Sequence, residues 1–345
     1  MSIEKSVLTL AEIEILIKDR YAIKNVQDII HIDNSSANCY HIICNDRQYF
    51  LKEIQSHYPL EKVKNECMIN YFLKERDIPT TEFYKTLNGE YLWEYKNHVF
   101  HLQPYIDGKT YEMNTAPEWL MYNSAIFLGK IHKALMQYPK LEVEFGEKFL
   151  NEWDVSNFQK SYENMIEESR NIKDEKVKLK IIEDLKFKLD ILPKIAKFKF
   201  DYNKFTVSNS HGDYSIMQII CNTKEINKII DFTGACCLPI CWEVIRSYTY
   251  ADPKCINGNE IDTGNLRRYI KLYMKYSKLS SYDLKMMPYL YYYQLTRSKF
   301  GYKEYISNPT SDKEELLQFA FWRTNMCRWL DKNVDLLSYE LANNL

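Results

Sequence analysis

At 345 residues the chain exceeds one typical domain and has room for two units, each with its own core. Its 46 Lys and Arg balance 47 Asp and Glu to a formal charge of -1, which argues against nucleic acid as the main partner, because phosphate contacts need a basic excess. With 46% hydrophobic and 27% charged residues the composition is that of an ordinary globular protein, and a disordered or fibrous chain is excluded.

In the first thirty residues Glu4, Lys5, Glu12, Glu14, Lys18, Asp19 and Arg20 interrupt every apolar run, so neither a signal peptide nor a spanning helix is expected, and no membrane partner. Residues 8 to 19 carry apolar positions at helical spacing. The runs Val26 to Ile32, Cys39 to Cys44 and Gln48 to Ile54 then predict an antiparallel meander, with turn chemistry at Asn34 to Asn38 and Asn45 to Arg47 between them. Helical period returns over 60 to 76, where Val63, Cys67 and Tyr71 stack four apart, and Ile78-Pro79 ends it. Two further short strands, Leu92 to Tyr95 and Val99 to Leu102, complete an α+β unit. Beyond Gln103 helical stretches are predicted near 116 to 136, 148 to 168, 174 to 192, 262 to 276, 281 to 303 and 312 to 340. The exception lies at 206 to 233, where Ile216 to Cys221 and Ile226 to Phe232 flank Asn222 to Glu225 as a hairpin. The expected division is a sheet-rich N-terminal lobe over 1–103 and a helical lobe over 104–345 that contains this hairpin.

The nine cysteines are odd in number and scattered, with only Cys236, Cys237 and Cys241 clustered and no paired C-x-x-C spacing. They read as reduced thiols of a cytoplasmic protein. Only 9 Gly stand beside 28 Tyr, 16 Phe and 6 Trp, which leaves little glycine for a phosphate-cradling loop.

The densest chemistry lies in the hairpin region. It reads Ser210-His211-Gly212-Asp213-Tyr214-Ser215-Ile216-Met217-Gln218, followed by Ile229-Ile230-Asp231-Phe232. A hairpin returns its ends to one place, so Asp213 before it, Gln218 near its start and Asp231 near its end can converge. Two carboxylates and an amide oxygen are hard-oxygen donors suited to Mg²⁺ together with a substrate's phosphates.

The pattern H-G-D-x-x-x-x-N followed by I-D-F/W resembles the catalytic and metal-binding segments of the aminoglycoside phosphotransferase and choline kinase-like superfamily, small-molecule relatives of protein kinases. Gln218 stands where that family has asparagine, which keeps the amide but sets it one methylene further from the backbone. The resemblance implies a protein-kinase-like bilobal fold, ATP or GTP as phosphoryl donor, Mg²⁺ as cofactor, and a small-molecule hydroxyl as acceptor. It implies Asp213 as the group that accepts the hydroxyl proton, with Gln218 and Asp231 as metal ligands. The phosphoryl-transfer template also asks for a strand lysine on the phosphates and a helix glutamate holding it. Lys52, directly after Tyr49-Phe50-Leu51, fits the first, and Glu66 fits the second, with Glu61 as the alternative. Leu102-Gln103-Pro104-Tyr105-Ile106-Asp107-Gly108 is similar to the family's interlobe hinge, where backbone groups at Gln103 and Tyr105 would meet the adenine edge. Leu128-Gly129-Lys130-Ile131-His132 looks like its L-[A/G]-x-L-H helix segment, with His132 structural, and Glu243 takes the place of the acid that anchors the catalytic loop. No G-x-G-x-x-G is present, and Ser35 and Ser36 lie in the turn where a phosphate-covering loop would sit.

The acceptor is open from sequence. Asp107, Glu112, Asp154 and Asp252 would suit a polycationic aminoglycoside, Trp153, Trp242 and Trp322 would suit choline, and homoserine or a sugar-like alcohol would also serve. The rival expectation is a catalytically weak kinase-like binding or structural protein, as among spore-coat-type relatives. A protein kinase fits less well, since the chain has His-Gly-Asp rather than H-R-D and no A-P-E. Oligomeric state is not legible.

Overall fold

The computed structural model describes residues 6–32, 37–56, 59–310 and 313–345. The chain opens with α1 (Leu10–Tyr21), β1 (Val26–Ile32), β2 (Asn38–Cys44), β3 (Gln48–Ile54), α2 (Leu60–Lys74), β4 (Trp93–Tyr95) and β5 (His98–Pro104). There follow α3 (Glu118–Leu135), α4 (Glu147–Asn151), α5 (Val155–Ser169), α6 (Glu175–Ile195), β6 (Val207–Ser210), β7 (Ile219–Asn222), β8 (Glu225–Ile229) and β9 (Cys236–Pro239). The remainder is helical: α7 (Ile240–Ala251), α8 (Thr263–Tyr273), α9 (Ser281–Arg297), α10 (Tyr302–Ser307) and α11 (Glu314–Asn343). Two compact units result, one of residues up to Thr110 together with Met217–Ala235, the other of Tyr111–Ile216 and Cys236–Leu345. The β7–β8 hairpin, expected within the C-terminal lobe, therefore clusters with the N-terminal strands.

The first unit is built on a five-stranded antiparallel sheet in the order β1-β2-β3-β5-β4. Alternation along the strands separates its two faces. One face presents Tyr40, Ile42, Leu51, Phe100 and Leu102, and α1 seats Ile13 and Ile17 on it. A capping box starts that helix: Thr9 Oγ1 accepts from the Glu12 N–H at 3.3 Å, and the Glu12 carboxylate accepts from the Thr9 N–H at 2.9 Å. The register pairs Cys39 with Lys52, Lys52 with His101, and Phe50 with Gln103, so these side chains share the other face.

The second unit is helical, with α9 packed along α11, α3 on α8 and α5 on α6, around the short antiparallel pair β6–β9. Two predicted helices divide. The first breaks between Asn151 and Val155, where Asp154 caps α5 by accepting from the Asn157 N–H at 3.1 Å. The second breaks after Arg297, and Gly301 at φ 90 restarts the chain as α10. Helix α7 was not expected from the sequence. All nine cysteines are buried and none is in a disulfide, and no helix among the described residues is long and apolar enough to cross a membrane.

Candidate active site

In the first unit the site grows from β3, a central strand, which holds Lys52 with its side chain only 14% exposed. Its ammonium meets the Asp231 carboxylate at 3.1 Å, across 179 positions of sequence. Burial opposes the charge on Lys52, but Asp231 first and Glu66 second outweigh it and raise the lysine well above its ordinary value. Glu66 lies on the buried face of α2 with Val63, Cys67, Asn70 and Leu73, whereas Glu61 is exposed and pairs with Lys64 at 3.1 Å. Of the two glutamates expected to hold Lys52, only Glu66 is thus near it. It acts on Lys52 as a neighbouring charge, and its own hydrogen bond comes from the backbone of Phe232. Burial pushes the Glu66 carboxyl up to about 7, against the pull of Lys52.

Asp231 follows β8 in the left-handed region at φ 65, where the chain turns into the short 3-10 segment Phe232–Gly234 that packs on α2. Thr233 donates its hydroxyl to the same carboxylate oxygen that Lys52 uses. Gln218 closes the hairpin, because its carbonyl accepts from the Ile230 N–H at 3.0 Å, one residue before Asp231. The ends of the hairpin thus set the backbone of Gln218 beside Ile230, the residue before Asp231.

Gln103 is buried, and its side chain lies 3.4 Å from both Thr81 Oγ1 and His101 Nδ1. The Tyr105 N–H, expected to face a nucleobase, is committed to the Gln48 carbonyl at 3.1 Å. The Tyr105 ring instead lies flat on His41, with centroids 3.5 Å apart. Ser35 and Ser36 lie outside the described residues. His101, opposite Lys52, was missed in the sequence; burial and then the Lys52 charge hold its imidazole down to about 3.

In the second unit β6 runs into Ser210-His211-Gly212-Asp213, with Gly212 at φ 81 making the turn. Asp213 emerges with its side chain half-exposed. The loop is gripped from α7. Glu243, fully buried, accepts from the Tyr214 N–H at 3.1 Å through Oε1, and from His132 Nε2 at 2.9 Å and the Ser210 hydroxyl through Oε2. His132 Nδ1 in turn shares a hydrogen bond with the Tyr273 hydroxyl at 2.7 Å. Burial pushes the Glu243 carboxyl up, but the hydrogen bond from His132, the neighbouring imidazoles and Ser210 outweigh it and hold it down to about 2. One turn later Arg246 donates to the Asp213 carboxylate and, at 3.1 Å, to the Tyr214 carbonyl. Arg246 was not singled out in the sequence; the signal was a lone basic residue in an otherwise apolar stretch after Trp242-Glu243.

These elements define a class: the chain has the α+β, protein-kinase-like fold of the aminoglycoside phosphotransferases and choline kinases. A spectinomycin phosphotransferase solved with ADP and spectinomycin matches at a TM-score of 0.66 and 14% identity, over 96% of this chain and 100% of that one. Amicoumacin kinase hAmiN, in complex with AMP-PNP, Ca²⁺ and Ami, matches at 0.61 and 12% identity over 94% of both chains. Choline kinase LicA from Streptococcus pneumoniae matches at 0.53 and 13% identity, over 93% of this chain and 98% of that one. No protein-family model matches the chain, and neither does any curated protein. At these identities the likeness is one of fold.

Proposed function

We propose that the protein is a small-molecule kinase that transfers the γ-phosphoryl group of ATP or GTP to an alcohol. The observation that carries this reading is the Lys52–Asp231 ion pair, with Glu66 buried beside it. Phosphoryl transfer uses such a lysine and acid to hold phosphates and metal, which supports the reading. The solved relatives with spectinomycin or amicoumacin support an alcohol-bearing small molecule as the acceptor class.

Asp231 and Gln218 offer a carboxylate and an amide from one hairpin, a hard-oxygen pair that suits Mg²⁺ shared with phosphates, and among the described residues no cluster of three His, Cys, Asp or Glu competes as a metal site. The metal would neutralise phosphate charge. Lys52 would draw on the same charge, and Glu66 would hold the field around the lysine. The Tyr105 and His41 rings offer a flat face to a nucleobase beside the 103–105 segment. Asp213, half-exposed on its anchored loop, would orient the acceptor hydroxyl and take its proton. The acceptor oxygen bonds to the γ-phosphorus as the bridging P–O bond breaks, and the nucleoside diphosphate leaves. Proton acceptance of this kind contributes on the order of 10² to 10⁴ in rate.

A second reading, a kinase-like protein with a binding role and little turnover, is favoured by Gln218 and by the engaged Tyr105 N–H. Incubation with Mg·ATP or Mg·GTP and a panel of aminoglycosides, amino alcohols, choline and sugars, with mass detection of a phosphorylated product, separates the two. Product formation that Asp213→Asn abolishes supports the kinase. Nucleotide binding without product from any acceptor favours the binding protein.

A further inference from the structure

We propose that Arg246 is a positioning residue for Asp213, an inference that rests on the phosphotransfer reading. The loop after β6 makes its turn at Gly212, and Asp213 emerges from it with its side chain half-exposed. Two residues one turn apart on α7 provide the constraint from below. Glu243 takes the Tyr214 N–H, and Arg246 takes the carbonyl of that same residue together with the Asp213 carboxylate. The peptide unit following Asp213 and the side chain of Asp213 are thus tied to one rigid helix.

Arg246 is itself held. Its side chain is 12% exposed, and its guanidinium lies 4.4 Å from the Tyr250 ring centroid and 5.6 Å from that of Trp242. A planar fork fixed between aromatic rings loses little further freedom when it grips a carboxylate and a carbonyl at once. A lysine would carry the charge without the fork. The buried guanidinium needs the Asp213 charge as well as the Tyr214 carbonyl, so the fork and the acid fix each other.

The test uses the full chain and two readouts. The first is phosphate release from Mg·ATP with water as acceptor, where the water oxygen bonds to the γ-phosphorus, the bridging P–O bond breaks and the proton passes to Asp213. Loss of positioning at the reacting group costs about 10²-fold in rate, so Arg246→Ala is expected to lower kcat by that factor and leave KM for Mg·ATP unchanged. Arg246→Lys, or guanidinium added to Arg246→Ala below denaturing concentration, is expected to restore part of kcat. The second readout is amide hydrogen exchange at 211–216, expected to accelerate in Arg246→Ala and to slow again with guanidinium; Arg246→Lys serves if the alanine variant does not fold. Wild-type turnover that Arg246→Ala leaves intact, or lowers without rescue, overturns the proposal while the kinase reading stands. If the wild type shows no turnover, the exchange arm decides: rescued acceleration keeps the positioning role and removes support for phosphotransfer, and unchanged exchange overturns the role itself.

Discussion

Glu243→Gln probes the anchor beneath the Ser210–Tyr214 loop. The carboxylate is fully buried and serves the Tyr214 N–H, His132 and Ser210, so loss of its charge weakens three hydrogen bonds at once. A shift from 4.5 in the unfolded chain to about 2 in the fold corresponds to roughly 3 kcal/mol of stability at neutral pH, at about 1.4 kcal/mol per unit. That agrees with the roughly 3 to 5 kcal/mol lost when one partner of a buried pair is removed. The sign follows from a depressed acid: the contribution is fully present above about 4.5 and is lost as pH falls towards 2. Urea unfolding at pH 7 is expected to separate wild type from Glu243→Gln by about 3 kcal/mol, and the gap should narrow by about 1.4 kcal/mol per unit below pH 4.5. A gap that stays constant with pH, or one under about 1 kcal/mol at pH 7, would refute the reasoning.

Glu66 carries the opposite sign. Its folded carboxyl is raised to about 7, so the stability it contributes is fully present below 4.5 and is lost as pH rises through 7; Glu66→Gln should flatten that slope in thermal melts taken from pH 4.5 to 8. At Gly129 a Cβ would stand 2.5 Å from the Tyr273 carbonyl oxygen, so Gly129→Ala should push α3 from α8 and destabilise by about 1 to 3 kcal/mol, read by urea unfolding. An unchanged midpoint would mean the two helices pack less closely than described. Gln218→Asn draws the amide back by one methylene to the resembled family's residue, and titration should show tighter Mg²⁺-dependent nucleotide binding.

Helices α1 and α2 were legible because each has one wet face, so helical period is written into the residues, and the sheet because its strands are short apolar or alternating runs bounded by turn residues. Helix α7 was not. Of its twelve residues only Arg246 escapes full burial, so no polar face marks a period of 3.6. Arg246 was hidden with it. The β6–β9 pair is four residues a side and wholly interior on β9, too short for alternation to register. Predicted helix 174 to 192 stopped before Pro193, whereas α6 runs on to Ile195, since a proline this near the end disrupts little of the helix beyond it. Within the site, Lys52, Glu66 and Asp231 could be named from motif and spacing, but which acid pairs with the lysine depends on how the hairpin end folds over β3. His101 carried no motif, and its role beside Lys52 arises only from strand register.

The central claim is a nucleotide site that depends on Asp231. Thermal unfolding with and without Mg·ATP and Mg·GTP, in wild type and Asp231→Ala, tests it most directly. Ligand at 100 times its dissociation constant stabilises by about 2.7 kcal/mol, a rise of several degrees in midpoint. The account predicts such a rise with at least one nucleotide, requiring Mg²⁺ and absent in Asp231→Ala. No rise with either nucleotide in the wild type would contradict it.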